Sequence, residues 1–404
     1  MSKQAAEQRQ TVLHIAPTPF FADRGCHIRI RNEVEALRPY PYRLIVCTYH
    51  HGNDVEGMDI RRIPAIPGYT KLDAGYSPFR FLADFLLFFL VLKTAWQERP
   101  TLLHCHLHEG ALIGWAVKLC LFWRKMRVLM DMQGSLSGEL AAYKAFGSLS
   151  FLLAIFRTIE GVICRMPDFF ICSSQQSCQV LKKEFKISTE KILLLQDVVP
   201  DVFFEGALQQ VVQKNRFQDL IPHDKQVILY TGSLLPGKGV QHIFQAMELL
   251  CAEREDLFFV LVGYPWEDAE QYVRQHQLEE FCLLPGQVPY CDLSDWLALG
   301  DLALEPKEAD SGEASGKLLH YMAAGLPVVC FDTENNRTML GDAGYYAPSC
   351  DGKGVAVRLK DALSEKAQAR CRGEKGREQV RAQYSSAAVG QLLHKVYRNF
   401  LGSP

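Results

Sequence analysis

The chain lacks several features, and each absence removes a class of protein. Its 13 cysteines, scattered singly from Cys26 to Cys371, include no C-x-x-C pair. A disulfide framework or zinc ribbon would show paired spacings, so reduced thiols are expected. No apolar run reaches the ~20 uninterrupted residues that span a bilayer. The longest stretch, Phe79 to Trp96, is broken by Arg80, Asp84 and Lys93. The N-terminal MSKQAAEQRQ has no apolar core of the signal-peptide kind, so secretion is not expected. There is no excess of positive charge: 44 Lys+Arg stand against 46 Asp+Glu, a formal net charge of −2. Without a strong positive field to replace phosphate counterions, bulk nucleic-acid binding is not expected. No internal repeat and no low-complexity tract occurs.

What remains is a globular composition, with 48% apolar and 22% charged residues over 404 positions. That length suits two or three domains. Short β-rich runs alternate with amphipathic stretches: TVLHIA (Thr11–Ala16), then HIRIRNEVEALRPY, then YRLIVCTYH (Tyr42–His50). Further strands are expected at Gly57–Pro64, Thr101–His106, Arg127–Gly134 and Asp168–Ser174, with a helix over Phe79–Arg99. A second series starts after KILLLQDVVPDVFF. Its expected strands are QVILYTGS (Gln226–Ser233), LFFVLVG (Leu257–Gly263), CLLPG, LALEP (Leu302–Pro306) and PVVCFD (Pro327–Asp332). Strands alternating with helices imply βαβ units, and hence two doubly wound, mainly parallel α/β halves joined near residues 200–220. In such sheets ligands bind beyond the carboxyl ends of the strands, so a cleft between two facing sheets is expected.

Chemistry concentrates at two glycine-rich helix starts. TGSLLPGKGV (Thr231–Val240) follows a strand and precedes a helix. Gly232, Gly237 and Gly239 allow close backbone approach, and the helix N-terminus and Lys238 add positive charge, which suits a phosphate or diphosphate. It is not a P-loop, because Gly239 rather than Ser or Thr follows Lys238. The alternative is a turn with an exposed lysine. In EADSGEASGKLLHYMAAGLPVV, the small residues Ser311–Gly316 open a helix and deliver Lys317 into its first turn. A cation there is disfavoured by the helix dipole unless an anion sits alongside. The alternative is a capped helix with Lys317 in solvent.

In the N-terminal half, LLHCHLHEG places His104, His106 and His108 at alternating positions leaving a strand. A metal site would need strand geometry to persist through all three. A polar site is favoured instead, with His106 the most exposed to the cleft and His104 buried. Asp131 and Gln133 fall on one face at the end of the next strand, either binding hydroxyls or capping the loop.

At this point the chain resembles the retaining GT-B glycosyltransferases, the large group often called family 4 (glycosyltransferase group 1). VLYTGSLLPGKGVQHIFQAM, FVLVG, LPGQVPY and KLLHYMAAGLPVV match family blocks in order, and LLHCHLHEGALIGWA and VLMDMQGSL resemble the N-terminal blocks. The resemblance implies two facing Rossmann-like domains: an acceptor-side domain over 1–203, a nucleotide-sugar donor domain over 204–384, and a helix over 385–404 packing back on the first. It implies Lys238 and Lys317 on the donor diphosphate and His106 near the donor sugar. It further implies donor contacts from Gly232, Ser233, Gly237, Gly263, Val288, Glu313, Ser315, Gly316, Leu318 and His320, and acceptor-side contacts from Gly25, Asp131 and Gln133.

The chain also departs from the family. Ser233 stands where arginine is usual, and the common pair of glutamates falls on Gly312 and His320. Lys317 is then expected to supply the charge that Ser233 lacks, and His320 to bond a hydroxyl. The family implies sugar transfer from a nucleotide-diphosphate donor to a glycan, lipid-linked or small-molecule acceptor. No cofactor and no metal are expected. The alternatives are a catalytically inactive GT-B subunit that binds a partner and a GT-B nucleotide-sugar epimerase.

Three N-terminal stretches mix aromatics, aliphatics and cations: Pro78–Trp96, Lys118–Arg127 and Phe151–Arg165. They either pack against the sheet or lie on an anionic membrane. A cytoplasmic protein is expected, with peripheral contact at the inner face of the membrane as the open alternative.

Overall fold

The computed structural model describes residues 10–23, 25–72, 77–135, 150–209, 215–307 and 316–401. The chain forms two compact units, Met1–Val198 with Val389–Pro404, and Val199–Ala388. The division falls at 198/199 rather than at the expected 203/204, and the return at 388/389 rather than 384/385.

The first unit holds a seven-stranded sheet of order β3-β2-β1-β4-β5-β6-β7. Its strands are β1 (Gln10–Ala16), β2 (Tyr42–Thr48), β3 (Asp59–Arg62), β4 (Leu102–His106), β5 (Arg127–Met132), β6 (Phe169–Cys172) and β7 (Ile192–Leu194). Every pairing is parallel. Helices α1 (Gly25–Leu37), α2 (Phe79–Glu98) and α3 (Leu107–Cys120) are among its crossovers. The strands are near-continuous Val, Leu, Ile and Cys because helices cover both faces of a parallel sheet. One face packs Leu13, Ile15, Leu103 and Met130 against Leu87 and Val91 of α2. The other packs Val12, Leu102 and Leu129 against Val389, Leu393 and Tyr397 of the last helix, Ser386–Leu401.

The second unit holds a six-stranded parallel sheet of order β10-β9-β8-β11-β12-β13. The strands are β8 (Gln226–Thr231), β9 (Leu257–Val262), β10 (Cys282–Gly286), β11 (Leu302–Glu305), β12 (Val328–Phe331) and β13 (Gly344–Ala347). The core joins Ile228, Phe259 and Leu304 to Ile243, Met247 and Leu359. The α/β expectation holds, with two Rossmann-like parallel sheets. In each, strand order reverses once beside the first strand of the unit, between β1 and β4 and between β8 and β11. Those two switch points are where helices leave in opposite directions and a crevice opens at the carboxyl edge.

Candidate functional site

At the β8/β11 switch point the backbone is tied into a fixed edge. Gly232 N–H donates to the Val262 carbonyl at 2.9 Å, and Gly263 N–H to the Gly286 carbonyl at 3.0 Å. Gly232 has φ +131°, a conformation open chiefly to glycine. A Cβ on Gly263 would lie 1.8 Å from the Gly232 carbonyl oxygen, so only glycine lets these strand ends meet. Gly239, with φ +86°, caps the helix Val240–Cys251; a Cβ there would lie 2.0 Å from the Pro306 carbonyl oxygen. That contact pins the glycine turn against the end of β11. Lys238 is half-buried at this turn, Gly237 is exposed with open space around it, and the Ser233 carbonyl accepts the Tyr230 hydroxyl at 2.9 Å.

Lys317 reaches the same edge from the helix Gly316–Ala323. Its Nζ lies 2.8 Å from Oε2 of buried Glu305, 4.2 Å from the centre of the Tyr230 ring, and 3.6 Å from where a Gly232 Cβ would be. The solvent-facing alternative for Lys317 therefore fails: a carboxylate and an aromatic face hold it over the glycine turn. Below it the Tyr321 hydroxyl accepts from Thr231 N–H at 2.7 Å, and burial pushes that phenol well above its usual range.

The remaining donor-side candidates divide. Leu318 is fully buried beneath the helix start. Val288 packs, partly buried, on the cluster of Val227, Phe258 and Trp296. His320 lies 4.4 Å from the Phe203 ring and 3.0 Å, through Nε2, from the Tyr290 hydroxyl; burial pushes its pKa down to about 4, so the ring is neutral. The nitrogen expected to bond a substrate hydroxyl is thus already bonded inside the unit. Gly312, Glu313 and Ser315 lie outside the described residues.

At the β1/β4 switch point the sheet carries a buried polar network. His14 on β1 is in register with His104 on β4, and His106 with Asp131 on β5. Asp131 accepts from Arg29 of α1 through Nε and a terminal nitrogen at 2.8–3.1 Å, from Gln133 Nε2 at 2.7 Å, and from His106 Nδ1 at 3.1 Å. The Arg29 guanidinium and the His106 bond hold Asp131 far below the usual carboxylate range although burial opposes them. As Asp131 is ionised, His106 Nδ1 must carry the hydrogen, and its Nε2 faces His14 Nδ1 at 3.1 Å. Arg29 also donates to Asp197 at 3.0 Å, and its terminal nitrogen lies 3.0 Å from Glu33 Oε1. Burial drives Glu33 well above the usual carboxylate range.

This changes the sequence reading at His106, Asp131 and Gln133. His106, expected to be the most exposed of the three histidines, is fully buried with both ring nitrogens engaged. His108 does not continue the alternation, because the strand ends at His106 and α3 begins at Leu107; it lies 3.2 Å from Glu160. Asp131 is an ion-pair centre rather than an open hydroxyl binder, and Gln133 is bonded to it. Gly25 opens α1, and a Cβ there would meet nothing within 4 Å, so that position does not require glycine sterically. For cations, His14, His104 and His106 bring one donor nitrogen each within 4.8 Å of one another, as do the ligand atoms of Glu33, His106 and Asp131. Arg29, seated on Asp131, sets a fixed positive charge against the second group. Sequence reasoning missed Arg29, Glu33, His14, Asp197 and Glu305; the charged pattern of α1, with Arg29 facing inward, was the one local signal.

Comparison with known proteins bears on the second unit most. Residues 211–379 match the family model "Glycosyl transferases group 1". The phosphatidylinositol N-acetylglucosaminyltransferase GPI3 subunit of Saccharomyces cerevisiae is 33% identical over 98 residues, 24% of this chain and 21% of that protein. The lipopolysaccharide 1,2-N-acetylglucosaminetransferase of Salmonella typhimurium is 23% identical over 216 residues, 50% of this chain and 56% of that protein. The chain thus spans between 21% and 56% of the length of these two relatives. Among solved structures, sucrose-phosphate synthase from Thermosynechococcus elongatus superposes with a TM-score of 0.77 at 18% identity, covering 98% of this chain and 100% of that one. Anabaena HepE in complex with UDP-glucose gives 0.71 at 13% identity, covering 96% and 99%. Residues 211–379 therefore match the group 1 glycosyltransferases, on a chain whose two parallel α/β domains have the fold of GT-B glycosyltransferases.

Proposed function

We propose that this chain transfers a sugar from a nucleotide-diphosphate donor to a glycan, lipid-linked or small-molecule acceptor, with net retention at the anomeric carbon. The observation that carries the proposal is Lys317, held by Glu305 and Tyr230 over Gly232, on the strand edge that Gly239 ties to the Lys238 turn. Two lysines and a glycine-lined backbone edge are what a leaving diphosphate requires. Glu305 keeps the Lys317 ammonium in place before a donor arrives, so little reorganisation is needed when charge develops on the leaving oxygen. HepE, whose fold this chain shares, has been solved with UDP-glucose, which supports a nucleotide sugar as donor.

In the proposed step the bond from the anomeric carbon to the phosphate oxygen breaks while the acceptor oxygen bonds the same face. The departing phosphate oxygen takes the acceptor proton. No enzymic carboxylate nucleophile enters this scheme. His106, fully buried with both ring nitrogens bonded inside the first unit, is assigned no step in this scheme. The test is incubation of the pure protein with a panel of nucleotide sugars and candidate acceptors, reading released nucleoside diphosphate and the anomeric configuration of the product. Release with an α-product from an α-donor is the expected result. Absence of both release and donor binding across the panel would leave the inactive-subunit reading.

A further inference from the structure

One face of the first unit carries an apolar surface that the transfer chemistry does not use. Helix α2 buries Ala83, Leu87, Val91 and Ala95 against the sheet, at helical spacing. A surface helix so placed normally turns polar residues outward. Here the opposite face presents Phe81, Phe85 and Phe89, exposed by 70, 60 and 50%. Trp96 at its end is 55% exposed and meets Trp123 edge-on at 6.2 Å, with Phe122 5.1 Å from Trp123 and 75% exposed. The neighbouring α3 adds exposed Leu112 and Leu119, and the helix Ser150–Ile163 adds exposed Ile155 and Ile159. Apolar patches this extended on a folded surface mark interaction sites.

Charge identifies the occupant. Over residues 79–127 there are seven Lys and Arg against three carboxylates, in a chain whose net charge is −2. The carboxylates are engaged: Asp84 with Tyr49, Glu98 with Arg61, and Glu109 with Arg80. Of the seven cations, Arg80 pairs with Glu109 while Lys118 and Arg127 pair with Asp168, which leaves Lys93, Arg99, Arg124 and Lys125 to carry the positive charge of this face. Lys93 and Lys125 are exposed beside the aromatics. The Arg124 guanidinium lies 4.8 Å over the Trp96 ring and bonds the Ala95 and Trp96 carbonyls at 2.7 Å each. Phe and Trp rimmed by cations suit the boundary between headgroups and acyl chains of an anionic bilayer. A twofold contact with a second copy would set this cationic surface against itself. No helix among the described residues is long and apolar enough to cross a membrane.

We infer that the face built from α2, the Phe122–Arg124 turn and α3 docks this protein onto an anionic phospholipid surface, bringing the transfer site to an acceptor held there. The acceptor clause rests on the proposed transfer; the docking itself does not. Cosedimentation of the full chain with phosphatidylglycerol-containing vesicles, against phosphatidylcholine alone, tests it. The wild type is expected to pellet with the anionic vesicles, with binding falling as salt rises. Phe81→Ser/Phe85→Ser/Phe89→Ser and Phe122→Ser/Trp123→Ser are each expected to lower binding about tenfold or more, since each removes exposed apolar area that would enter the interface. Lys93→Glu/Lys125→Glu is expected to do the same on anionic vesicles only. All these side chains are exposed, so melting and donor binding without vesicles should match the wild type. That keeps a failed docking distinct from a failed donor assignment. Wild type left in the supernatant with anionic vesicles at low salt overturns the inference. So does pelleting that these variants do not reduce, or a concentration-dependent dimer that they abolish.

Discussion

Replacing Asp131 by Asn keeps the size of the side chain and removes the charge on which the buried network of the first unit balances. Arg29 is fully buried and meets Asp131 through both forks, so the loss leaves a guanidinium facing an amide. Whichever way that amide turns, its NH2 meets a donor: the Arg29 guanidinium on one side, or the Nδ1–H of His106 and the Gln133 amide on the other. Breaking one half of a buried ion pair costs about 3–5 kcal/mol. Asp197 and Glu33 remain near Arg29, which places the expected cost toward the lower end of that range. Global melting blends two units, so native-state hydrogen exchange is the better assay. Amides of β4 and β5 should exchange roughly a hundredfold or more faster in Asp131→Asn, while those of β8 and β9 serve as the internal control. Arg29→Met/Asp131→Asn removes both charges and should recover about 2 kcal/mol or more relative to the sum of the single variants. Additive single effects, or a single variant within about 1 kcal/mol of wild type, would refute the ion-pair account.

Gly263→Ala should distort the β8/β9 edge and weaken donor binding, because its Cβ would collide with the Gly232 carbonyl, whereas Gly25→Ala should leave fold and binding unchanged; titration calorimetry and melting of both variants check this. Burial first, and then His106, holds His14 and His104 well below the usual histidine range. Below about pH 6.5 the unfolded chain therefore binds protons that the folded one refuses, and stability should fall with acidity by about 1.4 kcal/mol per pH unit for each ring. A His14→Gln/His104→Gln variant with an unchanged slope in denaturant titrations would contradict that assignment. Glu33 acts in the opposite sense: its raised folded pKa removes stability as pH rises above the usual carboxylate range, so Glu33→Gln should flatten that limb.

The sheets were legible because strand runs such as LFFVLV and VVCF are short, apolar and bounded by turn residues, a pattern that parallel pairing imposes locally. The glycine turn at Gly232–Gly239 was legible for the same reason, since left-handed φ and close approach restrict residue choice at fixed spacing. The short strand Gly344–Ala347 was not read, as GYYA alternates no more than a turn would. Partnerships across the fold left no local trace. Arg29 and Asp131 are 102 residues apart, and His104 and Tyr397 are 293 apart. His106 and Asp131 were identified as polar strand ends, yet their burial depends on α1, whose inward-facing Arg29 and Glu33 read on paper as a charged outer surface. Glu305 went unread because an acid ending a strand resembles a loop cap until Lys317 is brought beside it.

The donor-diphosphate assignment is tested most directly by titration calorimetry of UDP, GDP and ADP, and of the matching nucleotide sugars, into wild type, Lys238→Ala and Lys317→Ala. Removing a charge-assisted phosphate contact costs about 1.5–3 kcal/mol, so each variant should bind the preferred nucleotide about tenfold or more weakly. Lys317→Gln/Glu305→Gln keeps a neutral pair at the β11 edge and separates loss of the phosphate contact from loss of the buried ion pair. Its affinity should fall as far as that of Lys317→Ala, with a fold melting close to wild type. Wild-type affinity in both single-lysine variants would remove Lys238 and Lys317 from the phosphate site and contradict the account.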